Sequence, residues 1–312
     1  MFLLFLARAI DGITGGNISI ANAYLADLSS DETRSKNFGK MAISSNLGFI
    51  LGPALAGILG GTIYGEILPV TAALILSLIT LFVIVFLLRE SRPSSEGKLV
   101  PEEGTIRKVF AQEPYSAIGP KKPRFKDIFK LKHISFLLLL YFFIFLGFNI
   151  YYAAFPTHAA NDLKWTVPQL GIFYAVLSGI MVLVQGPVLR KALKKFSEEK
   201  LVVIGNLILG TGFILFVSNN IVSVGGALIL FAVGNGLMWP SFMSILSRRA
   251  GSKLQGAVQG VAGSFGGLAS IIGLTLGGFL YNSVGGATFL ITAGIIYAIF
   301  VMSFRLIKIK EV

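Results

Sequence analysis

The 312 residues are 54% hydrophobic and only 13% charged, against about 25% charged in a soluble domain, so an ordinary globular surface is excluded and lipid is the expected solvent. With no cysteine and two histidines, His133 and His158, disulfides, thiolate chemistry and a histidine-built metal site are excluded as well. A net charge of +12 does not indicate nucleic acid, because the bases lie in short runs between apolar stretches rather than on one polar face.

A hydrocarbon core takes about 20 apolar residues per helix, and about nine such spans are predicted. In chain order they run from Phe2 to Ala26, Gly39 to Gly60, Ile67 to Leu88, Ile134 to Phe155 and Val167 to Leu189. The last four run from Leu201 to Val217, Ile221 to Leu246, Gln255 to Leu280 and Ala287 to Phe304. The alternation of a membrane β-barrel is absent. The fold class is therefore all-α and membrane-embedded.

The connections fix an orientation. All of the 27 lysines and arginines except Arg8 and Lys164 fall on one side when spans are counted off in order. By the positive-inside rule that side is cytoplasmic, with the C-terminus inside and the N-terminus outside. The longest connection, Arg89 to Lys132, is polar and carries Pro93, Pro101, Pro114, Pro120 and Pro123, and reads as a cytoplasmic linker. Within it, Lys121 to Lys132 interleaves bases with Phe125, Ile128, Phe129 and Leu131. That is either a short helix on the headgroups or the basic flank of the next span. The expected division is 1–89 as a partial bundle of three spans, 90–132 as linker and 133–312 as a six-helix bundle.

Shifting the chain against itself by about 221 residues, with no gap, superposes the first two spans on the seventh and eighth, the kind of internal repeat from which transporters are built. Gly15 then falls on Gly236, Gly39 on Gly260, Gly52 on Gly273 and Gly57 on Gly278. Six spans in the second half against three in the first predict that three helices preceding Met1 are missing, and that such helices would pack against this chain.

The run Arg8-Ala-Ile-Asp-Gly12-Ile-Thr-Gly15-Gly16-Asn17 resembles the fourth-helix motif of major facilitator transporters. Asn46-Leu-Gly48-x-x-x-Gly52-Pro53-x-x-Ala56-Gly57 is similar to their fifth-helix antiporter motif, with Ala56 in place of one glycine. The connection from Ala26-Asp27 through Ser30, Glu32 and Arg34 to Gly39 resembles that of tetracycline-efflux and related drug:proton antiporters. Gly186-Pro-Val-Leu-Arg190-Lys191 more weakly resembles the loop motif between the family's eighth and ninth helices. The resemblance implies proton-coupled export of a small amphipathic solute by alternating access, with solute, proton and bilayer as partners and no nucleic acid. Uptake of a sugar or metabolite, and a non-transporting fragment or scaffold, are the other readings. No Gly-x-x-x-x-Gly-Lys-Ser/Thr loop, Gly-x-Ser-x-Gly elbow or His-Glu-x-x-His motif occurs, so neither a nucleotide cofactor nor an enzyme is expected.

Arg8 and Asp11 are the charges set within a span, and their i, i+3 spacing puts them on one helix face. Intramembrane charges face a cavity or a partner, so the pair is either a proton-coupling site, the role the resemblance implies for Arg8, or a self-neutralised pair that snorkels. Asn17 and Asn22 add polarity to the same span. Gly48, Gly52, Pro53 and Gly57 form a small-residue stripe broken by proline, suited to close packing and bending; Gly263, Gly266, Gly267 and Gly273 are expected to act alike in the eighth span. Asp27 and Arg34 form either a conformational latch or a solvated turn. Asn149, Tyr152, Asn235 and Trp239 are the candidates for a substrate cavity that the resemblance favours, with Gln259 and Phe265 beside them; packing or interhelix hydrogen bonding is the alternative for each. His158 is placed in an outer, solvated connection.

Overall fold

The computed structural model describes residues 10, 17–30, 32–60, 62–65, 67–88 and 128–310. Every regular element among them is helical: α1 (Asn17–Asp27), α2 (Arg34–Gly60), α3 (Ile67–Leu87), α4 (Ile134–Asn161), α5 (Val167–Leu183), α6 (Glu198–Leu215), α7 (Ile221–Val284) and α8 (Thr288–Lys310). Five stretches of the described residues are long and apolar enough to cross a membrane: Ile67–Leu87, Ile134–Asn161, Gln169–Ala192, Ile221–Gly251 and Leu254–Lys308. Of the span expected over Phe2–Ala26, only Ile10 and the part from Asn17 onward fall among the described residues.

Helix starts are set by short polar side chains that satisfy orphan amides. Thr166 opens α5 in a capping box with Gln169, whose Oε1 accepts from the Thr166 amide at 2.7 Å. Ser197 caps α6, whose first turn carries Glu198 and Glu199, charges that suit the positive end of a helix. At α7, Asn220 Oδ1 accepts from the Val222 amide at 2.8 Å.

Two elements end differently from expectation. α4 does not stop at Phe155 but continues to Asn161 with Pro156 inside it. A proline deletes one helical donor, yet Ala154, Phe155, His158 and Ala159 are all buried, and that packing carries the helix on. Likewise Gly186 to Lys191 is not a loop: Val184–Val188 forms a π-helical turn and Leu189–Ala192 resumes the α-helix. Pro187 within it lacks a donor, and a π turn accommodates such a gap in the ladder.

Contacts divide the chain into two units, Met1–Ile50 with Phe125–Val312, and Leu51–Arg124. Most of the second unit's described length is α3, an apolar helix in which no residue is buried. Within the first unit, ring and glycine contacts give the helix directions. Tyr141 meets Phe242, and Phe148 meets Phe231, so α4 and the first arm of α7 run antiparallel. At Gly251 the backbone leaves helical values (φ 66°, ψ 164°) and the chain turns back. Beyond it Gly266 meets Tyr141, Gly273 meets Asn149 and Gly277 meets Ile150, so the second arm runs with α4. α8 returns antiparallel, with Ile296 against Gly147 and Phe289 near Tyr151.

The core of this unit is aromatic. Tyr151 is surrounded by Phe155, Phe213, Phe216 and Phe231 at centroid distances of 5.1–5.4 Å. Offset and edge-on ring pairs of this kind add about 0.5–1.5 kcal/mol each beyond their burial. Close approach is achieved by glycine. A Cβ at Gly205 would lie 2.7 Å from Gly234 O, and one at Gly234 2.7 Å from Gly205 O. α6 and α7 therefore cross backbone on backbone.

Candidate functional site

Two places in the first unit bring polar chemistry together. At the basic end, α2 meets the π-helical turn that follows α5. A Cβ at Gly39 would lie 3.1 Å from both Gln185 O and Leu189 Cδ2, and one at Gly186 3.7 Å from Ile43 Cδ1. Lys36, Lys40, Ile43, Gln185, Gly186, Leu189 and Arg190 line a cleft there of about 70 Å3. Beside it, Glu32, Ser35, Ser197, Glu198, Glu199 and Arg248 line a second of about 190 Å3. Arg248 pairs with Glu198, whose other oxygen accepts from Ser244 Oγ at 2.8 Å.

The turn between α1 and α2 is stitched internally. Arg34, half-buried at the start of α2, donates from Nη2 to Ser29 O at 3.4 Å. Asn37 Nδ2 donates to Ser29 Oγ at 2.9 Å, and that hydroxyl donates to Leu25 O at 2.6 Å. Asp27 closes α1 and Asn17 opens it; of both only the backbone is described. Arg8 and Asp11 lie outside the described residues.

The fifth-helix motif sits in α2, which is helical throughout Gly48, Gly52, Pro53 and Gly57. Among the described residues, a Cβ at Gly48 or Gly52 would meet nothing within 4 Å. Close approach is found in the second arm of α7. There a Cβ at Gly266 would lie 2.8 Å from the ring of Tyr141, one at Gly273 2.8 Å from Asn149 Cβ and one at Gly277 2.6 Å from Ile150 O. Gly267 faces open space, and Gly277 was not singled out by motif reasoning.

The cavity candidates separate. Asn149 is committed to structure: its Nδ2 donates to Phe145 O at 2.7 Å and to Ser270 Oγ at 3.0 Å across to α7. Trp239 is partly buried, 5.5 Å from Phe145 and 5.6 Å from Tyr141. Tyr152 is 42% exposed on α4. Asn235 Oδ1 and Gln259 Nε2 are buried on the two arms of α7 with no partner among the described residues. Neither cleft at the basic end is lined by any of these residues.

The second polar cluster, at the opposite end, was misread in the sequence. His158 is fully buried rather than solvated. Its Nδ1 lies 2.7 Å from Asp162 Oδ2, and Tyr281 donates its hydroxyl to the same oxygen. The Tyr281 hydroxyl beside Asp162 holds its carboxyl below the usual carboxylate range, and His158 and Lys164 act in the same direction against partial burial. A signal was present: an i, i+4 His–Asp pair continuing the helical phase of Tyr151, Phe155 and Ala159.

The sequence model described as "Major Facilitator Superfamily" matches residues 1–274 and again 137–312. The chain is 24% identical over 273 residues to the class C tetracycline resistance protein of Escherichia coli, covering 88% of this chain and 65% of that protein. It is 28% identical over 287 residues to the class B protein of the same organism, covering 90% and 66%. It thus spans about two thirds of the length of these relatives. The crystal structure of the human organic anion transporter MFSD10 superposes with a TM-score of 0.76 at 24% identity, over 97% of this chain and 71% of that one, which establishes a shared fold. With the family model matching residues 1–274 and 137–312, this multi-pass membrane chain belongs to the Major Facilitator Superfamily.

Proposed function

We propose that the intact protein is a secondary transporter that exports a small amphipathic solute in exchange for protons by alternating access. The observation that carries this reading is the interlocking of Gly39 and Ile43 with Gln185, Gly186 and Leu189 at the basic end. Two helical groups meet there through glycine and aliphatic contacts, a junction that can part and reclose as rocking bundles require. Likeness to tetracycline resistance proteins supports export of a drug-like solute.

In this reading Arg8 and Asp11 couple proton movement to the conformational change. Gly48, Gly52, Pro53 and Gly57 let α2 bend, and Asp27 and Arg34 hold the α1–α2 turn as the latch. Asn17, Asn149, Tyr152, Asn235 and Trp239 border the solute path. The bundles are divided at 90–132, and the protein sits in the cell membrane with its C-terminus in the cytoplasm, the side that carries nearly all lysines and arginines.

The test is solute efflux from cells expressing the full-length protein, with and without a protonophore. Collapse of the proton gradient should abolish efflux, and Arg8→Gln or Asp11→Asn should do so with the gradient intact. Efflux unchanged after collapse would remove the coupling.

A further inference from the structure

At the end of the first unit where α4 begins, α7 turns back and α8 finishes, cations from three separate elements converge. We propose that Lys132, Arg249 and Arg305 form a binding site for the phosphate of an anionic lipid headgroup. The Arg305 guanidinium sits over the ring of Phe136 at 4.9 Å, which fixes it at the level of the first α4 turn instead of leaving it to swing in solvent. Lys132 precedes α4 by two residues and is exposed, and Arg249 is half-buried two residues before the break at Gly251.

His133 stands among them with a left-handed backbone (φ 69°). Its imidazole is pushed below the ordinary value, first by partial burial and then by the fields of Lys132, Arg249 and Arg305. Arg248, the neighbour of Arg249, is already neutralised by Glu198, whereas among the described residues no carboxylate pairs with Lys132 or Arg305. A phosphate offers Lys132 and Arg305 a shared counter-ion, with oxygens for several donors. Just inward of the cations, Leu139 on α4 and Val301 and Phe304 on α8 are exposed apolar side chains. A cationic rim above an apolar wall matches a phospholipid, headgroup above acyl chain.

His133 is a built-in reporter. It would be titrated by NMR in the full chain, in nanodiscs of phosphatidylcholine alone and in nanodiscs with phosphatidylglycerol as about one third of the lipid. Phosphatidylglycerol should raise the His133 midpoint by on the order of one pH unit, a tenfold gain in proton affinity. Lys132→Gln alone, and Lys132→Gln with Arg305→Gln, should remove most of that rise, with an unchanged thermal midpoint certifying the fold. A parental rise in the double variant, as bulk surface potential alone would give, would overturn the site. Inorganic phosphate added to phosphatidylcholine discs should have little effect; if it reproduces the full rise, the ligand is the free anion and the lipid assignment fails.

Discussion

Tyr281 donates its hydroxyl to the carboxylate of Asp162, joining the end of the second α7 arm to the cap of α4 across 119 residues of sequence. His158 approaches the same oxygen from within α4. Removing the donor with Tyr281→Phe should lower stability by about 1 kcal/mol, the usual net worth of one hydrogen bond, read as a drop in the thermal midpoint in detergent.

Asp162 gives this contact a pH dependence. Its folded pKa lies below its unfolded one, so the charged carboxylate stabilises the fold fully above the unfolded value of about 3.9. That contribution disappears as pH falls through the lower, folded value. Asp162→Asn should therefore be less stable than the parent at pH 7, and the two melting curves should converge below about pH 4.

Gly205 and Gly234 leave no room for a methyl group, since each would place it against the other's carbonyl oxygen. Backbone cannot swing aside as a side chain can. Gly205→Ala should cost about 1–3 kcal/mol as overpacking, while Gly48→Ala, where a Cβ meets nothing within 4 Å among the described residues, should leave the melting point almost unmoved. A Gly205→Ala melting point as little changed as that of Gly48→Ala would show that the α6–α7 crossing is looser than described.

The absence of cysteine makes the junction at the basic end directly testable. With Ile43→Cys and Gly186→Cys, a short reductant-cleavable thiol crosslinker should bridge α2 and the π-helical turn. Transport should stop on bridging and return on reduction. Efficient bridging with transport undisturbed would mean that this junction does not open during the cycle.

Glu198 and Arg248 offer a charge-swap experiment. Arg248→Glu alone sets two carboxylates together and should destabilise the start of α6 by about 1 kcal/mol, the scale of a partly exposed pair. Adding Glu198→Arg should restore the parental melting point.

Helix positions were legible because lipid demands long apolar runs and basic residues mark their ends; the starts at Ile67, Ile134, Val167 and Ile221 are those read from sequence. Packing was only half legible. Gly266 and Gly273 were identified as close-packing positions, while at Gly48 and Gly52, chosen on the same grounds, a Cβ would meet nothing within 4 Å among the described residues; a glycine advertises permissiveness and not what stands opposite. Asn149 and Tyr152 looked alike as polar residues on one helix. Only the tertiary position of Ser270 shows that the first is tied to α7, while the second remains 42% exposed. His158 was missed because the predicted span stops at Phe155, and the buried surface that carries the helix on past Pro156 cannot be seen in a local window.

The reversal at Gly251 bears on how the chain enters its membrane. The link at Gly251 is far too short to reach across the roughly 30 Å of hydrocarbon, so the two arms are joined at one face of the membrane, and a mutation that inverted either arm would invert its twin.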